Sequence, residues 1–286
     1  MRCSALNDFL DNQPISPEVK PGYRMELAYW GTTYFGWQSQ THGRTVQDLL
    51  EKALTTLLRH PVQTIAASRT DSGVHAEQQV VLFRTNVVFN EEKWVRSLNG
   101  LLPEDVGVLG IKPAPPEFHP IYSAKGKIYR YRLWQGVSRN PHCFQSSWSI
   151  YRQIDLLAMR QAAALLEGIH DFTSFCAVDS SAKTRVRHIY AIEITEKGSL
   201  IEVWVYGKGF LKQMVRIIVG TLVEIGLGKR LPEDIVTIIE AKNRSSAGKT
   251  APAQGLALVS IFYHNDPKPE DFRRSVSLGG FARENR

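Results

Sequence analysis

The sequence predicts an α+β protein built from two similar units, each with the element order βαββαβ. Three observations support this prediction. Apolar residues alternate with other residues in short segments, as in half-buried strands; other segments carry an apolar stripe at helical spacing; and the two kinds of segment follow the same order twice. The 286 residues are 43% hydrophobic, which is enough to bury a large core.

The first half of the chain contains six elements in this order. Met25, Leu27 and Tyr29 share one face of the first strand, because side chains in a strand alternate between faces. Thr45 and Asp48 form a start similar to a capping box for the first helix. The elements are expected at 23–31, 45–60, 62–67, 79–85, 90–102 and 106–114.

The second half repeats the order. A strand is followed by a helix, by a strand pair that turns at 197–199, by a long apolar helix and by a last strand. These elements are expected at 127–134, 155–168, 187–207, 210–228 and 257–265.

Two ferredoxin-like units are the simplest architecture for this pattern. Side by side they would form a continuous, mainly antiparallel sheet with helices on one face and the opposite face open for a large ligand. Prolines at 112–120 break regular structure, so we place the units at 23–115 and 116–265. The polar ends, 1–22 and 266–286, are expected to be flexible tails.

The charge balance favours an anionic partner such as nucleic acid, because 35 Lys and Arg outnumber 28 Asp and Glu. Asp8, Asp11 and Pro14 stand where a signal peptide needs an apolar segment. No apolar run approaches the length of a membrane span, so we expect a cytoplasmic protein. The three cysteines are too far apart for a zinc site or a disulfide framework, and we interpret them as ordinary thiols.

One short stretch, "ASRTDSGVHA" at 67–76, places Arg69, Asp71 and His75 between two predicted strands. A surface ion pair is the ordinary interpretation of such spacing. No further metal ligand lies at the right spacing from His75, and no nucleophile elbow or phosphate-binding glycine loop occurs. A lone carboxylate with an arginine partner stays ionised, and suits nucleophilic attack or charge stabilisation better than general acid catalysis.

"SRTDSGVHA" resembles the Gly-Arg-Thr-Asp-Ala-Gly-Val-His-Ala signature of the tRNA pseudouridine synthase A family. Other segments are similar to that family in the same order: "YFGWQSQ" with "TVQDLLEKAL", "FHPIYSAKGKIYRYRLW", "DFTSF" with "FLKQMVRIIVG", and "TAPAQGLAL". The resemblance covers residues 23–263. It implies an enzyme that converts uridine to pseudouridine in tRNA without cofactor or metal. It also implies that the enzyme is a homodimer and that RNA binds in a cleft between the two units of each chain.

The resemblance also implies roles for single residues. Asp71 matches the catalytic aspartate, and Arg216 matches an arginine that pairs with it from the second unit. Tyr129 matches an active-site tyrosine that stacks on the uracil and takes the proton from C5. Arg69 matches a residue that fills the space left when the target base flips out, and Leu258 matches a wall of the uracil pocket.

Each role has a simpler alternative. Arg69 is otherwise a plain ion-pair partner of Asp71, and Tyr129 and Leu258 are otherwise ordinary strand residues. Arg216 interrupts an apolar helix, so it either finds a buried partner or extends to the surface. We interpret Tyr131, on the same strand face as Tyr129, as packing beside the site.

His75 and Asp171 are interpreted as structural residues, Asp171 as the cap of a turn. A wider set of basic residues is expected to contact RNA phosphates. Its members are Arg44, Lys125, Lys127, Arg130, Lys183, Arg185, Arg187, Lys208 and Lys212.

The chain departs from the family pattern at four positions. Ser68 replaces a glycine and Ser72 an alanine in the signature; Ile121 stands where an arginine is usual, and Ala257 where an aromatic residue is common. If position 68 requires a positive φ, Ser68 bears strain; if it requires only a small residue, serine costs little. The departures leave the Arg-Thr-Asp core intact and bear on which uridine is chosen.

We therefore predict isomerisation of uridines 38, 39 and 40 in the anticodon stem-loop of tRNA. The alternative is a non-catalytic RNA-binding protein of the same fold, although such a protein has no reason to keep a carboxylate in a phosphate-binding cleft. A hydrolase that uses Asp71 and His75 lacks a nucleophile, a metal or a second acid.

Overall fold

The computed structural model describes residues 20–88, 90–264 and 267–278, and the predicted N-terminal tail lies almost entirely outside them. The strands are Gly22–Tyr29 (β1), Ile65–Ala66 (β2), His75–Arg84 (β3), Val106–Ala114 (β4), Gly126–Gln135 (β5), Trp148–Ile150 (β6), Gly168–Asp171 (β7), Val186–Lys197 (β8), Leu200–Gly207 (β9) and Leu256–Phe262 (β10). The α-helices are Val46–Leu58 (α1), Glu91–Leu101 (α2), Leu156–Ala164 (α3), Met214–Gly226 (α4), Asp234–Ala241 (α5) and Pro269–Ser277 (α6).

All of these strands belong to one sheet with the order β4-β1-β3-β10-β5-β9-β8-β7, while β2 pairs with β3 and β6 with β5. The first unit therefore has the order β4-β1-β3-β2 and the second the equivalent order β10-β5-β9-β8. This repeated order confirms the two ferredoxin-like units. Within each βαββαβ repeat the strand pairs are antiparallel.

The two units join through a short parallel pairing of β3 and β10. Ala257 is opposite His75, and Leu258 is opposite Ala76. The other end of the same edge of β3 pairs with β2 instead. The loop that precedes β3 therefore lies at the junction of the units.

Helices α1–α5 contribute to one large core on a single face of the sheet. Helix α6 packs on the other face, where Phe272 and Val276 join a second, smaller core with Trp204 and Tyr206. The expectation that this face is open is therefore wrong for the second unit. The expected C-terminal tail is also corrected, because its residues 269–277 form α6.

Local signals account for most element ends. Thr45 caps α1 as expected, because its side chain accepts the amide of Asp48. Helix α4 begins at Met214 rather than at 210, because Gln213 adopts a left-handed conformation with a φ of 61°. The sequence analysis did not predict β6, β7, α5 or α6, of which all but β6 lie at the periphery of the second unit. In the described part of the chain, no helix combines the length and the apolarity needed to cross a membrane.

The packing of α6 predicts that Phe272→Ala lowers the free energy of unfolding by about 3 kcal/mol, because it removes a fully buried ring. Urea denaturation measures this change. Phe144→Ala is the matched control, because that ring is 61% exposed, and its effect is expected to be small. Equal stability of Phe272→Ala and the wild type would contradict the packing of α6 on the sheet.

Candidate active site

The loop 67–74 between β2 and β3 carries Asp71 and is held by the segment before α1. The amide of Trp37 donates a hydrogen bond of 3.1 Å to the carbonyl of Thr70. Gly36 has a φ of 88°, and a Cβ there would lie 2.6 Å from the same carbonyl oxygen. Position 36 therefore requires glycine both for its conformation and for space.

Asp71 begins a tight turn that is fixed at three points. The amide of Val74 donates to the carbonyl of Asp71 at 3.1 Å, and Gly73 has a φ of 81°. The Gly73 amide and the Ser72 hydroxyl both donate to the carbonyl of Tyr34, each at 3.2 Å. These bonds fix the backbone from which the Asp71 carboxylate projects.

The Asp71 carboxylate forms a salt bridge with Arg216 on α4 of the second unit. Nη1 of Arg216 lies 2.9 Å from Oδ2 of Asp71. The side chains of Arg216 and Asp71 are 14% and 21% exposed, so salt screens the pair less than it would a surface pair. The structure thus contains the ion pair that the resemblance implied, and Arg216 does not extend to the surface.

A close approach between α4 and segment 249–251 orients Arg216. A Cβ at Gly220 would lie 1.7 Å from the carbonyl oxygen of Lys249. The amide of Ala251 donates to the carbonyl of Arg216 at 3.1 Å, and Nε of Arg216 donates to the carbonyl of Ala251 at 2.9 Å. The direction of the guanidinium therefore depends on the absence of a side chain at position 220.

Tyr129 lies on β5, which is separated from β3 by β10 alone. Its ring is buried and meets Phe210 edge to face, with 5.2 Å between the ring centroids. Burial raises the pKa of Tyr129 above its usual range, and the charge of Asp71 raises it further. The hydroxyl is therefore protonated at neutral pH and lies within electrostatic range of Asp71.

The hydroxyl of Tyr129 contacts the loop through Ser68. Oγ of Ser68 lies 2.8 Å from Oη of Tyr129. The backbone of Ser68 is held by the side chain of buried Gln79, which accepts the Ser68 amide at 3.2 Å and donates to the Ser68 carbonyl at 2.6 Å. Among the described residues, the non-glycine residues with positive φ are Arg59, Gln213 and Lys242. Ser68 is not one of them, so it does not bear the backbone strain that a positive φ would cause.

Leu258 and Tyr131 surround Tyr129 on the same face of the sheet. Leu258 on β10 is directly opposite Tyr129 and fully buried. Tyr131 is fully buried too, and its hydroxyl donates to the carbonyl of Pro252 at 2.8 Å. Tyr131 is therefore a packing residue, as the sequence predicted.

Arg69 is exposed, and its side chain has no hydrogen bond or ion pair with any described residue. It therefore does not act as the ion-pair partner of Asp71, a position that Arg216 occupies. The guanidinium of Arg69 is free to contact a ligand beside the carboxylate.

Two of the predicted RNA contacts are corrected by the structure. Lys127 is buried, its Nζ donates to the carbonyl of Ala67 at 2.7 Å, and burial lowers its pKa to about 8. Arg130 pairs with Glu77 and Glu202, with Nη2 2.5 Å and Nε 3.4 Å from the two carboxylates. The exposed members of that set are Arg44, Lys125, Lys183, Lys208 and Lys212.

His75 and Asp171 have structural partners. Nδ1 of His75 accepts the amide of Gly31 at 2.9 Å, so its Nε2 carries the proton and faces the carbonyls of Gln145 and Gln254. Asp171 accepts the amide and hydroxyl of Thr173, the first residue of a short 3₁₀ turn whose N-cap is Phe172. Among the described residues, no group of three or more His, Cys, Asp or Glu side chains is placed to hold a metal ion.

The sequence analysis missed the interactions that depend on side-chain direction. It noted Ser68 only as a departure and did not predict its contact with Tyr129. The roles of Gln79 and Gly220 were missed as well, because both act through distant backbone groups. The one signal in the sequence was Gly220 itself, because a glycine within an apolar helix can indicate that another segment packs closely there.

The chain matches the model of the tRNA pseudouridine synthase family over residues 27–123 and 162–264. The chain belongs to this family. The matched residues include Asp71, Arg69, Arg216 and Leu258, while Tyr129 falls between the two matched ranges.

Named relatives agree with this family over most of the chain. The chain is 44% identical to tRNA pseudouridine synthase A of Geobacillus kaustophilus over 84% of this chain and 93% of the relative. It is 42% identical to that of Moorella thermoacetica over 85% of this chain and the whole of the relative. It is 40% identical to that of Geotalea uraniireducens, over 84% and 98%. The chain is thus a tRNA pseudouridine synthase, an isomerase that converts uridine to pseudouridine in tRNA.

A match to a solved structure, the crystal structure of a Cbf5-Nop10-Gar1 complex, covers 89% of this chain and 64% of the matched chain. The TM-score is 0.32 and the sequence identity 12%, a likeness too low to support an argument.

The close approach at Gly220 predicts that Gly220→Ala separates α4 from 249–251, lowering the free energy of unfolding by about 1–3 kcal/mol. Tritium release from tRNA labelled at C5 of uridine should fall too, because Arg216 loses its orientation. Gly100→Ala on α2 is the matched control, since a Cβ there meets nothing within 4 Å. Normal stability and activity of Gly220→Ala would contradict the close approach.

The buried His75 predicts a pH dependence of stability. Burial lowers its pKa from 6.5, so the unfolded chain takes up a proton at a higher pH than the folded chain. The contribution of neutral His75 to the free energy of unfolding is therefore complete above pH 6.5. It is lost as the pH falls towards the lower pKa that His75 has in the folded chain. Urea denaturation between about pH 5 and pH 8 should show a steeper loss in the wild type than in His75→Gln. Parallel curves for the two proteins would contradict this prediction.

Proposed function

We propose that this enzyme isomerises uridines 38, 39 and 40 in the anticodon stem-loop of tRNA, using the carboxylate of Asp71 and no cofactor. The observation that carries the proposal is the salt bridge between Asp71 and Arg216 across the two units. It holds one carboxylate in a defined position at the junction, on the helix-bearing face of the sheet. The choice of uridines rests on the resemblance of the sequence motifs.

The reaction breaks the bond between C1′ and N1, turns the uracil while it is held, and forms a bond between C1′ and C5. An ionised carboxylate suits the first step, because it stabilises or attacks a carbon that becomes electron-poor. Arg216 is a charge-assisted hydrogen-bond donor to that carboxylate and keeps it oriented. Its second bond, to the carbonyl of Ala251, keeps the guanidinium in place while the substrate changes.

The target base must leave its stack before the carboxylate reaches the sugar. Arg69 suits the vacated space, because its guanidinium is exposed, beside Asp71 in the chain and without a protein partner among the described residues. Tyr129 and Leu258 then form the wall of the uracil pocket, with the Tyr129 hydroxyl as the acceptor for the C5 proton.

The partners are the anticodon arm of tRNA and a second copy of this chain, in the cytoplasm. The net charge of +7 favours the polyanion, and the exposed basic residues described above are its phosphate contacts. The homodimer and the compartment rest on the resemblance and on the composition.

The second candidate function is RNA binding by the same fold without catalysis. The only observation that supports this second function is the basic net charge, which RNA binding needs whether or not catalysis follows. A mostly buried salt bridge that places an anion in a polyanion-binding cleft weakens binding, and it is therefore better explained by chemistry.

The proposal predicts that Asp71→Asn lowers tritium release from tRNA labelled at C5 of uridine by at least about a hundredfold, because the side chain keeps its shape and loses its charge. The measurement compares it with the wild type, and tRNA binding serves as the check on folding. Glu92→Gln is the control for loss of a paired carboxylate, because Glu92 pairs with Arg96 at 2.6 Å but both side chains are exposed.

Comparable release by Asp71→Asn and the wild type would remove the proposed role of Asp71. No release by the wild type, with tRNA still bound, would favour the binding function. Mapping pseudouridine in the product tests the choice of positions 38, 39 and 40.

A further inference from the structure

The hydroxyl of Tyr129 has one hydrogen-bond partner among the described residues, Oγ of Ser68 at 2.8 Å. Either oxygen is able to donate in this bond. A buried phenol without a partner would lose its hydration without compensation, so this contact is the one that satisfies the Tyr129 hydroxyl. When the phenol donates, its lone pairs face away from Ser68 and are available to a ligand.

Ser68 is itself held firmly and has access to solvent. The Gln79 side chain binds both its amide and its carbonyl, which leaves the hydroxyl as the one polar group of Ser68 that points elsewhere. Ser68 is only half-buried, whereas Tyr129 and Gln79 are buried. The hydroxyl of Ser68 therefore lies between the buried phenol and the solvent.

The final step of the proposed reaction requires such a path. After the C1′–C5 bond forms, C5 still carries its original hydrogen, which must leave as a proton. Burial raises the pKa of Tyr129, so a free phenolate is not available as the base at neutral pH. A phenol accepts that proton only if it transfers its own proton at the same time.

We propose that Ser68 is a proton relay for Tyr129 in this step, an inference that rests on the proposed function. The C5–H bond breaks and its electron pair restores the C5–C6 double bond, while the electron pair of the C6–N1 double bond moves to N1, which takes up a proton from water. The proton moves to Oη of Tyr129, the phenol proton moves to Oγ of Ser68, and the serine proton moves to a water molecule at the exposed side. Both side chains end neutral, and the proton released to water balances the proton that N1 takes up, so the uracil keeps its composition.

This relay is a property of the present chain. The signature that the loop resembles has glycine at position 68, which has no side chain to accept a proton. Ser68 takes that position without a positive φ, so the hydroxyl is added without backbone strain.

Single-turnover reactions test the relay, with enzyme in excess over tRNA transcribed with hydrogen or with deuterium at C5 of uridine. Ser68→Ala and Ser68→Gly are expected to slow conversion by about tenfold or more and to show a deuterium effect, because removal of the C5 proton limits the rate. The affinity for tRNA should be unchanged. Ser68→Thr keeps the hydroxyl and is expected to recover most of the lost rate.

Thr56→Ala is the control for loss of a hydroxyl, because Thr56 is exposed on α1 and its hydroxyl binds only the carbonyl of Lys52. It is expected to show no new deuterium effect. The relay is overturned if Ser68→Ala converts tRNA at a rate within about twofold of the wild type. It is equally overturned if Ser68→Ala is slow without a deuterium effect, or if Ser68→Thr is as slow as Ser68→Ala.

The result is separable from the proposed function. If the wild type releases no tritium, or does so without Asp71, the proposed function fails and the relay fails with it. If release by the wild type requires Asp71 while Ser68→Ala behaves as the wild type, the relay alone fails.

Discussion

A charged guanidinium on the apolar helix α4 needs a partner, and Asp71 on the opposite unit supplies it. An unpaired charge among the buried residues of α4 would cost several kcal/mol, so the helix and the loop are energetically coupled. Removing either charge leaves the other mostly buried and without its counter-ion. The position of the carboxylate is therefore a consequence of how the two units fit together, and not of the loop alone.

That fit is made by backbone contacts. The parallel pairing of β3 with β10 covers two residue pairs, and it places the loop before β3 beside the strand that is also paired with β5. Gly36 allows the segment before α1 to pack closely against the loop that carries Asp71. Gly220 allows segment 249–251, which binds Arg216, to pack closely against α4. An ion pair between separate units requires this kind of rigid support, because its geometry depends on both units at once.

Two basic residues that the sequence predicts to contact RNA have protein partners in the structure instead. Lys127 and Arg130 are basic residues close to Tyr129 in the chain, yet one stabilises the loop backbone and the other pairs with glutamates. Arg69 is the reverse case, because the structure leaves its charge without a partner among the described residues. Sequence spacing does not distinguish these cases, since it carries no information on what lies opposite each side chain.

The sequence by itself determined the repeated βαββαβ order, the family and the residues of its motifs, because periodicity and local motifs are properties of neighbouring residues. It also indicated that Arg216 either finds a buried partner or extends to the surface, since the apolar stripe around it is visible in the chain. Only the tertiary structure decided that α6 covers the second face and that Ser68 binds Tyr129. These contacts join residues far apart in the chain, and their geometry depends on packing that no local pattern specifies.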